Sequence, residues 1–178
     1  DELLTSDTWL VLQMEVPLAE NWALIERAKA RETRIVLNVA PAVAVPKATL
    51  ACVDLLIVNE VEAKMLARGE IDAAAAARQI AAISDCTCIV TLGAKGARAY
   101  EGDGGWSIGA LPIIPVDTTG AGDAFVGVLV AALDGGFDLA AALHRASVGA
   151  GLACTKIGCQ SAFRSHSDIN HMVAELAP

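Results

Sequence analysis

Four stretches of strand length, WLVLQMEV (9–16), RIVLNV (34–39), VDLLIV (53–58) and CTCIVTL (86–92), are apolar at almost every position rather than at alternate ones. A strand with that pattern has both faces covered, the condition of a buried and mostly parallel sheet. Segments of helical pattern separate them: one near 20–31, a short turn or helix after Pro46, and two near 60–68 and 71–84, the last carrying the alanine-rich DAAAAARQIAA. Parallel neighbours need crossovers of this kind, so the expected class is an α/β layered fold, a mostly parallel sheet with helices on both faces. Beyond it the expectation is a GAKG turn, the strand-like ARAY, and a glycine-rich hairpin, EGDGGWSIGA, as an antiparallel edge. A short strand near 112–116 and helices near 120–134, 138–154 and 168–176 follow. No internal repeat or linker divides the chain.

With 178 residues and 54% hydrophobic content, the chain can bury a core of its own and is no disordered tail. A net charge of -8 with scattered Lys and Arg leaves no basic stripe, so nucleic acid is not an expected partner. No run of about 18 apolar residues occurs, and DELLTSDTWL has neither a basic nor an apolar leader region, so no membrane span or export signal is expected. Five cysteines, an odd number without a C-x-x-C pair and mostly in apolar runs, fit reduced thiols and a cytoplasmic location. The opening lacks an initiating Met and enters WLVLQMEV within ten residues, the expected look of a sequence that begins inside a longer protein.

In an open parallel sheet, ligands gather beyond the carboxyl ends of the strands. Each notable polar cluster falls at such a place: QMEVP, NVAPA, VNEVEA, TLGAKG and DTTGAGD. Singly each has a plain explanation, Asn59 as a helix cap and the glycines as turns. The recurrence at five strand ends favours a shared site.

DTTGAGDAFVG sets Gly120, Ala121 and Gly122 between an extended segment and a long apolar helix, with Asp123 in the first turn. Spacing alone is equally compatible with a tight turn carrying a favourable N-terminal acid. The functional alternative is an anion hole of backbone N–H groups at the positive helix end, suited to a phosphoryl group. An acid beside such a hole makes sense if it faces an incoming hydroxyl and accepts its proton late, which suffices in a loose phosphoryl-transfer transition state. A G-x-G-x-x-G fingerprint would need glycine where Phe125 stands, and GAKGAR lacks the G-K-[ST] of a P-loop.

Taken in order, LVLQMEVPL, VLNVAPA, DLLIVNEVEA, IVTLGAKGA, DTTGAGDAF and TKIGCQSA resemble the ribokinase-like (PfkB) carbohydrate kinases, and the resemblance runs through nearly all of the chain. It implies an ATP-dependent sugar kinase, with residues 1–178 as the C-terminal nucleotide-binding part of a single domain. Asp123 would be the catalytic base and Gly120, Ala121 and Gly122 the anion hole. Asn59 and Glu62 would serve the phosphates and the Mg²⁺ shell, the carboxylate through water. Thr91, Gly93 and Gly96 would border the nucleotide phosphates and ribose, and Ser147 and Gly151 the adenine. A monovalent cation, K⁺, would lie between Asp117 and Thr119 on one side and Cys154, Gly158 and Cys159 on the other, mostly through carbonyls. Glu15, which by itself could be a solvated acid at a strand end, would accept sugar hydroxyls. The expected acceptor is the 5-hydroxyl of D-ribose, with fructose, a nucleoside or a sugar phosphate as alternatives, or a truncated nucleotide-binding module without catalysis. A neutral sugar is favoured because no Arg or Lys cluster stands ready for a second phosphate.

The resemblance covers the C-terminal three-fifths of such a kinase. The first strands, a di-glycine sugar-binding segment and a β lid that often mediates dimerisation have no counterpart, so a homodimer is expected of the full-length protein. The remaining polar residues look ordinary. His144, His166 and His171 lack metal-ligand spacing, Cys86 and Cys88 share one face of a core strand, and Trp9, Trp22 and Trp106 are too dispersed for a stacking platform.

Overall fold

The computed structural model describes residues 2–67 and 72–175; the expected helix limits at 68, 71 and 176 lie outside the described residues. Its strands are β1 (Trp9–Leu12), β2 (Arg34–Asn38), β3 (Leu55–Asn59), β4 (Thr87–Thr91), β5 (Ala97–Glu101) and β6 (Gly104–Ile108). Its helices are α1 (Leu18–Lys29), α2 (Lys47–Leu50), α3 (Glu60–Ala67), α4 (Ala73–Ser84), α5 (Ala121–Asp134), α6 (Leu139–Ala153) and α7 (His166–Glu175). The strands form one sheet in chain order, β1 to β6. The first four run parallel, with Leu10 opposite Ile35, Leu37 opposite Leu56, and Ile57 opposite Ile89. Two residues, Gly102 and Asp103, join β5 to β6, a connection short enough only for an antiparallel hairpin, so the glycine-rich edge forms as expected.

Contacts divide the chain into two compact units. One comprises the described chain up to Leu92 together with Arg98–Trp106; the other comprises Gly93–Ala97 and the described chain from Ser107 onward. In the first unit, β2, β3 and β4 are buried on both faces. Ile35, Leu37, Leu56, Val58, Cys88 and Val90 pack with Ile25 and Ala28 of α1 and Ala76, Ala77 and Ile80 of α4, while Val36, Ile57 and Ile89 point the other way and are equally enclosed. Continuous apolar character thus had the cause expected of it. Burial pushes the Cys88 thiol well above its ordinary range, as suits core packing, and all five cysteines are free thiols.

Two expected strands differ. The run 9–16 yields only the four residues of β1, and Val11 remains 43% exposed. As an edge strand β1 has one neighbour, so its pattern is not completed by partners on both sides. Past Leu12 the backbone leaves the sheet. The Glu15 N–H donates to the Gln13 side-chain oxygen, and the Met14 N–H donates to the Ala40 carbonyl at 2.9 Å. The segment 112–116 forms no strand. Pro112 and Pro115 have no N–H to offer a ladder, and Ile114 is 90% exposed.

The second unit is helical. Helix α5 packs on α6, which packs on α7. The close approach is made at Gly149, where a Cβ would come within 2.7 Å of Val128 Cγ2. Leu129, Leu143, Ala146 and Val148 fill the interior. No helix among the described residues is long and apolar enough to cross a membrane.

Candidate functional site

Because β1 to β4 are parallel, their carboxyl ends share one edge of the first unit. At that edge β3 ends on Asn59, in register with Thr91 at the end of β4. Asn59 is the cap of α3. Its Oδ1 accepts the N–H groups of Val61 (2.9 Å) and Glu62 (3.0 Å), while Glu62 accepts the Asn59 N–H at Oε2 (2.7 Å) and the Asn59 side-chain amide at Oε1 (2.8 Å). This is a reciprocal capping box. Glu62 is only 4% exposed, and burial raises its pKa, with the Asn59 N–H opposing the shift. Asn59 itself is exposed at the sheet edge. Each carboxylate oxygen of Glu62 thus accepts one hydrogen bond from Asn59. The hydroxyl of Thr91 donates to the Val58 carbonyl at 3.4 Å.

Glu15 lies three residues beyond β1, not at the end of a buried strand, and is exposed. The stretch bearing it is anchored. The Asn21 side chain donates to the Gln13 carbonyl at 2.6 Å, and the Met14 bond to Ala40 ties QMEVP to NVAPA.

In the second unit the expected anion hole lies in the stretch that enters α5. Gly120 adopts φ +77°, and the N–H groups of Gly120, Gly122 and Asp123 have no protein acceptor among the described residues. Ala121 departs from the expected anion hole, since its N–H donates to the Thr118 carbonyl at 3.2 Å. Asp123 is exposed in the first turn of α5, at one wall of a cleft of about 220 Å³ that Gly127, Val128, Phe163, Arg164 and Ile169 also line. Sequence reasoning missed Phe163 and Arg164. They sit in an irregular segment, and nothing in their spacing marks them.

The expected cation-site residues do come together. Asp117 bridges the two loops, accepting the Thr119 N–H at Oδ1 (2.9 Å) and the Gly158 N–H at Oδ2 (2.9 Å). These bonds, Gly158 first, hold its carboxyl below the ordinary carboxylate range. The Cys154 carbonyl accepts from Val116 (2.8 Å) and Asp117 (3.3 Å), and the Cys159 carbonyl accepts from Ala162 (3.0 Å). Carboxylate and main-chain carbonyl oxygens, as Asp117 and these two loops carry, are a donor chemistry that would fit K⁺. The thiols of Cys154 and Cys159 do not contribute to such a set.

Gly93 and Gly96 close the turn after β4 with φ +56° and +87°. Ser147 is buried on α6, and its hydroxyl donates to the Gly109 carbonyl at 2.7 Å. Gly151, one turn later, lies against Leu111. Among the described residues no group of three or more His, Cys, Asp or Glu is arranged to hold a metal by itself.

A family model described as pfkB family carbohydrate kinase matches residues 2–165. A ribokinase of Staphylococcus aureus is 31% identical over 177 residues, covering 97% of this chain and 58% of the relative. A deoxyribokinase of Salmonella typhi is 33% identical over 170 residues, covering 93% and 56%. The ribokinase of Cryptococcus neoformans var. grubii, solved in complex with ADP, superposes with a TM-score of 0.77 at 29% identity, covering 93% of this chain and 60% of that one. The chain spans a little over half the length of the curated relatives it matches.

Proposed function

This chain belongs to the pfkB family of carbohydrate kinases, and on that premise we propose that it forms the C-terminal nucleotide-binding part of a single kinase domain transferring the γ-phosphoryl group of ATP to a primary hydroxyl of a pentose. The 5-hydroxyl of D-ribose is the first choice. Relatives named ribokinase and deoxyribokinase match at similar identity, so a 2-deoxypentose is the second. A cytoplasmic location belongs to the same reading.

The observation that carries the proposal is the exposed Asp123 carboxylate in the same helix turn as the N–H groups of Gly120, Gly122 and Asp123, for which the described residues offer no acceptor. Those donors can stabilise charge on a transferring phosphoryl group without reorganising. Asp123 orients the sugar hydroxyl and takes its proton as the new P–O bond forms. Asn59, backed by Glu62, faces the phosphates. Mg²⁺, when bound, would neutralise phosphate charge, and Glu62 would reach it through water. Asp117, Thr119 and Gly158 would hold K⁺ and so brace the loop that ends in the anion hole. Glu15 accepts sugar hydroxyls, and completion of the sugar side would bring the lid through which a homodimer forms.

The test is ADP release with MgATP, K⁺ and D-ribose. It is measured on the chain and on a chimaera that adds the part of the Staphylococcus aureus relative this chain does not match. Asp123→Asn in the chimaera lowers kcat by roughly 10²- to 10⁴-fold while ATP affinity stays close to that of the parent. An unchanged kcat refutes the base. ATP binding without turnover for any pentose or hexose would favour a nucleotide-binding module instead.

A further inference from the structure

A cleft of about 240 Å³ opens between α5, α6 and α7, wholly within the second unit. Its floor is the face of α5 bearing Val128, Ala131 and Ala132, and Phe137 and Ile169 extend the apolar lining. Three basic side chains line it as well, Arg145 on α6 and Arg164 and His166 at the start of α7; among the described residues no carboxylate does. In a chain of net charge -8 this gathering is not written in the sequence, where Arg145 and Arg164 are far apart and neither belongs to a basic run.

Both guanidinium groups are fixed by neutral partners. Arg145 stacks on Phe137, its Cζ 4.0 Å from the ring centroid, and donates to the Asn170 side-chain oxygen, while the Asn170 amide donates to a His166 ring nitrogen at 3.2 Å. Arg164 donates through Nη2 to the Thr155 hydroxyl at 2.9 Å, and its Nε is enclosed without an acceptor. Neither arginine has an ion pair with a carboxylate among the described residues. Asp168 lies within electrostatic reach of Arg164, but its Oδ2 accepts the Ser165 hydroxyl (2.7 Å) and N–H (3.1 Å), and it stands outside the lining.

Two ordered positive charges beside apolar walls favour an anion that can reach both. The planar guanidinium matches a carboxylate, and the floor of α5 would take a hydrocarbon body. The volume falls below the roughly 300–1,000 Å³ typical of pockets for drug-sized molecules, so the ligand must be small. We propose that this cleft binds a small organic carboxylate with an apolar body, the carboxylate on Arg145 and Arg164 and the body on Val128 and Ala131. The inference goes beyond the kinase reading and does not depend on it.

Titration calorimetry of the chain with benzoate, and with benzamide as its neutral counterpart, tests it. Benzoate binds, benzamide does not, and inorganic phosphate, which has no body for the floor, competes poorly. Arg145→Gln and Arg164→Gln each weaken benzoate roughly ten- to a hundredfold, the worth of a hydrogen bond to a charged group. Ala131→Leu fills the cleft from α5, leaves both arginines in place and abolishes binding. Thermal midpoints show which variants are folded, and Ala131→Leu carries the test if neither arginine variant is. No binding of benzoate to the unaltered chain overturns the inference, as does binding that all three variants leave unchanged. Equal affinity for benzamide would mean that the floor acts without the charges, and equal affinity for phosphate would mean a bare anion site; either result overturns it too. A dimer in sedimentation that benzoate dissociates would assign the cleft to an acidic side chain of a second copy and retire the small ligand.

Discussion

Gly120 and Gly122 look alike in the sequence and are held to different standards by the structure. At Gly120 the backbone is left-handed, and a Cβ would stand 2.4 Å from Cys159 Sγ and 3.3 Å from the Phe163 ring. At Gly122 a Cβ would meet nothing within 4 Å. Gly120→Ala therefore lowers the thermal midpoint and weakens ATP binding by calorimetry, because the turn must shift and carry its N–H groups with it. Gly122→Ala, on an open helical position, keeps or slightly raises the midpoint, by up to about 1 kcal/mol of helix propensity. Equal damage from both would mean that Cys159 and Phe163 do not seat the turn. At this scale the sequence supplied the residue types and the structure supplied their neighbours. The place of Asp123 in the first turn of α5 was legible from the three small residues before it. Engagement of the Ala121 N–H by Thr118, or of Glu62 by Asn59, depends on local backbone geometry that spacing does not contain.

Among the elements, α4 begins on a cap of the same logic as α3 but with an exposed carboxylate. Asp72 accepts the N–H groups of Ala74 (2.9 Å) and Ala75 (3.0 Å), and these bonds, Ala75 first, lower its pKa. A carboxylate depressed in the folded state stabilises above its unfolded pKa, ordinarily about 3.9, and that contribution is lost as pH falls through the folded value. Asp72→Asn keeps an acceptor at the cap and does not titrate. Thermal midpoints of the two proteins measured down through that range should diverge, the parent falling more steeply on acidification; parallel curves would exclude the cap as a titrating contributor. Helices α1 to α6 were readable from period and from Pro and Gly punctuation, since local patterns decide them. The two misread segments were both strands. A strand exists only if a neighbour accepts its ladder, and neither Gln13–Val16 nor Pro112–Val116 has one.

For the molecule as a whole, the first unit's stability rests on a sheet enclosed on both faces, with Leu56 at its centre and without exposure. Leu56→Ala removes buried methyl groups and leaves a cavity, and denaturant unfolding should show a loss of about 2–5 kcal/mol. A loss below 1 kcal/mol would mean that the sheet relaxes around the gap and is not close-packed there. The sequence by itself determined the α/β class, the order of the helices and of the four parallel strands, an antiparallel edge within EGDGGWSIGA, and the six segments that resemble the family. All of these follow from local hydrophobic period and turn chemistry. Only the tertiary structure decided that Asp117 ties two loops 41 residues apart, that Ser147 spends its hydroxyl on Gly109, and that Glu62 turns inward. Contacts between residues distant in the chain are set by packing of whole elements, and a one-dimensional pattern records which side chains are available, not which partner satisfies them.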